Sequence, residues 1–141
     1  MSPTVPDKSP EDQGWQGIVY KLIAESSRGE PTAAVLLDHR TYTVRAGCLR
    51  KQIALYEKHG LAAQKRHFGE PLAWLVAETG DVNSYVHIWV YEDAADRSRR
   101  RAAMMADPEW QAYLEKNAEA GYLLKQESKL MSPASFAPLR R

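Results

Sequence analysis

Apolar and polar positions alternate with two different periods along this chain. Val35 to Val44 (VLLDHRTYTV) is rich in β-branched and aromatic residues and reads as a strand. Leu49, Ile53 and Tyr56 then recur at helical spacing, which predicts a helix from Leu49 to about His67, weakened and bent at Gly60. Leu72 to Thr79 predicts a second strand. Gly80 to Asn83 supplies hairpin-turn chemistry, and Tyr85 to Tyr91 (YVHIWVY) carries the strongest strand signal. Asp93 is a natural N-cap for a helix starting near Ala94. Asp107-Pro108 stops that helix and starts another, which runs to about Ala120 and ends at Gly121. Lys125 to Met131 supplies a last strand, followed by an irregular tail.

The order strand, helix, strand, strand, helix, strand is the ferredoxin-like βαββαβ arrangement, an α+β antiparallel sheet with its helices on one face. Residues 1–33 are polar and proline-rich and read as a partly flexible N-terminal extension, with the domain occupying 34–141. Within the extension, Ile18 to Ala24 is compatible with a strand or a helical turn.

Side chains alternate across a strand, so each strand divides into two sets. Val86, Ile88 and Val90 oppose Tyr85, His87, Trp89 and Tyr91. Ala73, Leu75 and Ala77 oppose Leu72, Trp74, Val76 and Glu78. Leu37, His39 and Thr41 oppose Asp38, Arg40 and Tyr42. The small aliphatic sets suit packing against helices. The aromatic sets are then expected on the helix-free face, a patch larger than monomers usually expose. Face-to-face pairing with a second copy covers it and creates a shared central chamber, as in a dimeric α/β barrel. Closure of the N-terminal segment over the sheet is the other way to cover it.

Composition narrows the function classes. The chain has 141 residues, one domain's worth, with 19 basic and 18 acidic side chains and a net charge of +1. That balance argues against a general nucleic-acid binder. One cysteine, Cys48, excludes an intrachain disulfide and is consistent with a reducing compartment. No apolar run approaches the ~20 residues of a membrane span, and the first residues lack the basic start of a secretory signal. The expectation is a cytoplasmic protein with no membrane partner.

The polar groups set among the aromatics are the best candidate chemistry. Arg40 can hold a carboxylate, and Tyr42, Trp74, Asn83, Trp89 and Tyr91 complete a binding wall. Glu78 and His87 are the candidate proton-transfer groups, since a carboxyl among aromatics is raised and a histidine ordinarily titrates near neutrality. Internal neutralisation is the competing account, with Arg40 paired to Asp38 or Glu78 and His87 bonded to a neighbour. His59 and His67 lie eight apart on a helix, lack metal-site partners and read as solvated; a haem held there rests on analogy alone. Cys48 has no base beside it in sequence. The Arg97 to Arg101 run, flanked by Asp93, Asp96 and Asp107, reads as a solvated helix face. No phosphate-cradling glycine loop is present, and neither a metal nor a cofactor is expected.

His39-Arg40-Thr41-Tyr42-Thr43, Trp74…Glu78-Thr79-Gly80, Asn83…Val86-His87-Ile88-Trp89…Tyr91, Asp107-Pro108-Glu109-Trp110 and Gln126-Glu127…Ser132-Pro133…Phe136-Ala137-Pro138-Leu139 stand in order. Over about residues 35–139 the chain resembles a bacterial NIPSNAP-type domain. One departure is Ser128, where that family typically carries Asn. The resemblance implies a homodimeric α/β barrel, in a superfamily that includes monooxygenases, haem enzymes and small-molecule isomerases, but it implies no particular reaction. Two functions follow as expectations. One is binding or conversion of a small organic acid or carbonyl compound in the barrel. The other is a non-catalytic dimer whose outer surface or N-terminal arm takes a protein partner.

Overall fold

The computed structural model describes residues 35–139. The expectations for the N-terminal extension therefore lie outside the described residues. The elements are β1 (Leu36–Val44), α1 (Leu49–His59), α2 (Leu61–Phe68), β2 (Ala73–Val76), β3 (Ser84–Tyr91), α3 (Ala94–Met105), α4 (Pro108–Ala120) and β4 (Leu123–Met131). The four strands form one antiparallel sheet in the order β2-β3-β1-β4, the ferredoxin-like topology.

Local chemistry explains the boundaries. The Asp93 side chain accepts a hydrogen bond from the Asp96 N–H at 2.7 Å, and Asp107 accepts from the Glu109 N–H at 2.9 Å. Each cap satisfies a donor that the first helical turn leaves free. Gly121 ends α4 in the left-handed conformation, with φ of 64°. Gly60 divides the expected long helix into α1 and α2. A Cβ at that position would stand 3.0 Å from Cγ of the Tyr113 ring, so α4 approaches this backbone more closely than any side chain comfortably allows.

The face assignment is reversed from the sequence expectation. Trp89 and Tyr91 are buried in the core with Tyr56, Ala63 and Phe68 of α1 and α2, Met104 of α3, and Trp110 and Tyr113 of α4. The aromatic faces of β1, β2 and β3 therefore lie under the helices, and the aliphatic set is on the helix-free side. The reason is volume. Four amphipathic helices stand off the sheet and leave a thick layer that large rings fill, whereas Val86 and Ile88 would leave voids there. Leu75, on the helix-free face, is 54% exposed. Along this face Leu37, Ile88 and Met131 join Pro133, Ala137 and Pro138 of the C-terminal tail to line an apolar trough. The rings thus need no second sheet to keep them dry. Among the described residues no helix is long and apolar enough to cross a membrane.

Candidate functional site

Between the sheet and the helices lies a cavity of about 190 Å³. Its sheet side is built from Arg40 and Tyr42 of β1, Trp74 of β2, Tyr85 and His87 of β3 and Gln126 of β4. Its helix side is built from Tyr56, Gln64, Arg101, Met104, Trp110, Tyr113 and Asn117, among others. Among the described residues no aspartate or glutamate belongs to the lining.

Register places the rings. Trp74 stands opposite His87, and Tyr42 opposite Tyr85. The His87 ring is stacked between Tyr42 and Trp74, with centroids 5.0 Å away on each side. Tyr85 stacks on Tyr42 at 4.9 Å and on Trp74 at 4.8 Å. Cross-strand neighbours on one sheet face are close enough for such stacking, and here it extends across three strands. From α1, Tyr56 extends the array by stacking on Trp74 at 4.9 Å. The Tyr56 hydroxyl donates to Gln64 at 2.6 Å. Burial raises the Tyr56, Tyr85 and Tyr113 hydroxyls well above the ordinary phenol range, so all three stay protonated.

His87 is 3% exposed. The Trp89 indole N–H donates to its Nδ1. Indole nitrogen is only ever a donor, so Nδ1 is the acceptor and the neutral ring carries its proton on Nε2. Burial, reinforced by the positive charge of Arg40, lowers the His87 pKa to about 3. This corrects the expectation of a histidine titrating near neutrality. In this setting His87 can donate a hydrogen bond from Nε2 but does not accept a proton at ordinary pH.

Arg40 is fixed by two neighbours on its own strand face. Its Nε donates to the Tyr42 hydroxyl at 2.9 Å, and Nη1 lies 3.4 Å from Asp38 Oδ2. Asp38 has no solvent exposure. The same Oδ2 accepts from Arg97 Nε at 3.0 Å, and Oδ1 accepts from the Ser128 hydroxyl at 2.5 Å. Burial alone would raise the Asp38 pKa, but the Ser128 hydrogen bond and the two guanidiniums outweigh it and leave it below the usual carboxylate range. Arg101 forms no ion pair with the described residues. Burial, then repulsion from Arg40 and Arg97, lowers its pKa.

Of the expected site residues, Arg40, Tyr42, Trp74 and His87 come together at the cavity. Glu78 is exposed in the connection after β2, away from the lining, so it is withdrawn as a proton-transfer group. Asn83 belongs to the turn before β3, where its carbonyl accepts from the Val44 N–H at 2.8 Å. Trp89 and Tyr91 are core residues, and Trp89 acts on the cavity only by orienting His87. Internal neutralisation is partial: Asp38 is one carboxylate shared between Arg40 and Arg97, and Arg101 forms no ion pair with the described residues. His67 is not simply solvated, since its Nε2 lies 2.8 Å from Asp107 Oδ2.

Arg101, Trp110 and Tyr113 were not singled out from sequence as site residues. A signal for Arg101 exists: Met104 is core, and stepping back three and seven positions on the same helix gives Arg101 and Arg97. Arg99 and Arg100 instead pair with Asp96, at 3.6 and 2.9 Å. Among the described residues the buried indole N–H groups of Trp74 and Trp110 find no acceptor, and the buried Tyr91 hydroxyl has no hydrogen-bond partner. Among the described residues no group of three or more His, Cys, Asp or Glu side chains is arranged to hold a metal ion.

The family model described as NIPSNAP matches residues 37–138. A NipSnap homologue from Dictyostelium discoideum is 33% identical over 97 residues, 69% of this chain. The match spans 42% of that protein's own length. A solved NIPSNAP family protein from Agrobacterium tumefaciens is 35% identical, with a TM-score of 0.70, over 77% of this chain and 96% of that one. A solved NIPSNAP-like domain protein from Burkholderia xenovorans is 34% identical, also with a TM-score of 0.70, over 77% of this chain and 92% of its own.

Proposed function

The chain belongs to the NIPSNAP family, and from that premise we propose that it binds a small organic acid or carbonyl compound between its sheet and its helices. The observation that carries this reading is a cavity lined by Arg40, Arg101 and His87 but, among the described residues, by no acidic side chain. Such a lining offers donors and positive charge to a ligand oxygen. Trp74, Trp110, Tyr113 and Met104 supply the apolar walls that ligand sites need. The volume suits a ligand smaller than drug-sized molecules, whose pockets run to roughly 300–1,000 Å³.

Binding is favoured over acid–base turnover. His87 keeps its only free proton on Nε2, Asp38 is saturated by Arg40, Arg97 and Ser128, and Glu78 is remote. A ligand oxygen that gains negative charge would be stabilised here, but no lining carboxylate is available to remove a proton. The test is calorimetric titration of the full chain with small carboxylates and ketones. Binding is expected, weakened at least about tenfold by Arg40→Gln and unchanged by Glu78→Gln. Failure of every acid and ketone to bind the folded protein would overturn the reading.

A homodimer formed through the helix-free sheet face is part of the same proposal. Leu75 and Met131 remain about half exposed there, and Phe136 of the adjoining tail is 91% exposed, which a second copy would cover. Light scattering should give twice the chain mass, reduced to the single mass by Leu75→Asp.

A further inference from the structure

We infer that the ligand of this cavity is a dianion, carrying either two carboxylates or one phosphoryl group, with Arg40 and Arg101 as its charge partners. This rests on the binding proposal above and narrows its ligand class.

The argument is a count of charges around the cavity. β1 contributes Arg40 and Asp38, and α3 contributes Arg97 and Arg101. The remaining acid of α3 near this run, Asp96, is committed to Arg99 and Arg100. The lining residues from α2, α4 and β4 are neutral: Gln64, Trp110, Tyr113, Asn117, Leu123 and Gln126 among them. His87 is neutral as well, with Nδ1 occupied by Trp89. Among the described residues three guanidiniums thus stand with one carboxylate, and two positive charges remain uncompensated.

Asp38 cannot absorb that surplus. Both of its oxygens are engaged, one by Ser128 and the other by Arg97 and Arg40. Arg40 directs its Nε to an uncharged phenol rather than to an acid. Arg101 makes no ion pair among the described residues, and repulsion from Arg40 and Arg97 outweighs its weaker attraction to Asp38. A partly buried guanidinium without a counter-ion is costly, and its persistence at a ligand-sized cavity is explained if the ligand brings the counter-charge. A monoanion would leave one positive charge over; a dianion neutralises the set.

The experiment compares butyrate, succinate and inorganic phosphate by calorimetry on the full chain at about pH 8, where the acids are ionised and His87 is neutral. Succinate or phosphate is expected to bind at least roughly tenfold more tightly than butyrate at low salt, with the gap narrowing as salt rises. Whichever of the two shows the advantage identifies the dicarboxylate or phosphoryl source. Arg101→Gln should reduce the advantage to about twofold or less without lowering the melting temperature, because Arg101 has no ion pair to lose among the described residues. Equal binding of butyrate, succinate and phosphate would overturn the dianion assignment and leave the binding proposal standing. An advantage that survives intact in Arg101→Gln would overturn the role of Arg101. Absence of any binding would overturn both.

Discussion

The Trp89 indole donates its N–H to Nδ1 of His87, two residues earlier on the same strand face. The two rings meet edge to face, with centroids 5.7 Å apart. A core tryptophan thereby decides the tautomer of a cavity histidine. Replacing Trp89 by Phe should free Nδ1, and the imidazole NMR signals should then report a change of tautomer along with loss of core packing.

Stability should depend on pH through His87. Its pKa is about 3 in the fold, against about 6.5 for an unperturbed histidine. Between those values the unfolded chain binds the extra proton and the folded one does not. Stability is therefore fully present above about pH 6.5 and falls as the pH drops toward 3, by up to about 5 kcal/mol. Urea titrations at a series of pH values will show the slope, and His87→Gln should flatten it between about pH 4 and 6. Asp38 contributes separately, in the region below its ordinary 3.8.

Asp38→Asn should destabilise the domain by about 3–5 kcal/mol, because it leaves Arg40 and Arg97 facing an uncharged amide in a buried site. Ser128→Ala should cost less, roughly 1.5–3 kcal/mol, since it removes one hydrogen bond to a carboxylate that keeps its arginines. Chemical denaturation of both variants tests the ranking. Equal losses would mean that the serine, rather than the ion pairs, holds the carboxylate.

Gly60→Ala should cost about 1–3 kcal/mol by pressing on the Tyr113 ring. Its backbone, at φ of −116°, is open to any residue, so the cost is one of space. In a Tyr113→Ala background the same substitution should become nearly neutral. A double-mutant cycle with no coupling would show that the ring is not the obstacle.

The Arg66 guanidinium donates to Asp107 at 2.6 Å and to Glu109 at 2.7 Å on the surface. Arg66→Ala should change stability by less than about 1 kcal/mol, as exposed pairs usually do. Asp107→Ala should cost about 1 kcal/mol or slightly more, because it also removes the cap of α4. Thermal melts of the two variants, with His67→Ala as a third, separate the cap from the contacts of Asp107 with Arg66 and His67.

Much of the fold was readable from residues. The caps at Asp93 and Asp107, the stop at Gly121 and the period-two runs of β1 and β3 are local signals, and the elements they predict stand where expected. β2 is shorter than its apolar run: the paired register with β3 covers Ala73 to Val76, and flanking Leu72 and Ala77 each add a single backbone hydrogen bond to β3. Part of the site was readable too, since Arg40, Tyr42, Trp74 and His87 share one parity across three strands. Arg101 was hidden inside an arginine run whose members have the same composition and opposite duties.

Alternation along the strands determined that Tyr42, Trp74, His87 and Trp89 would share one face and that Leu37, Leu75 and Ile88 would share the other. It carries no information on which face meets the helices, because parity is symmetric and both sets are apolar enough to be buried. Only the packed structure decided that. The gap between four helices and the sheet is a volume, rings fill it, and the space they leave brings Arg101 from α3 to the same cavity as Arg40 from β1.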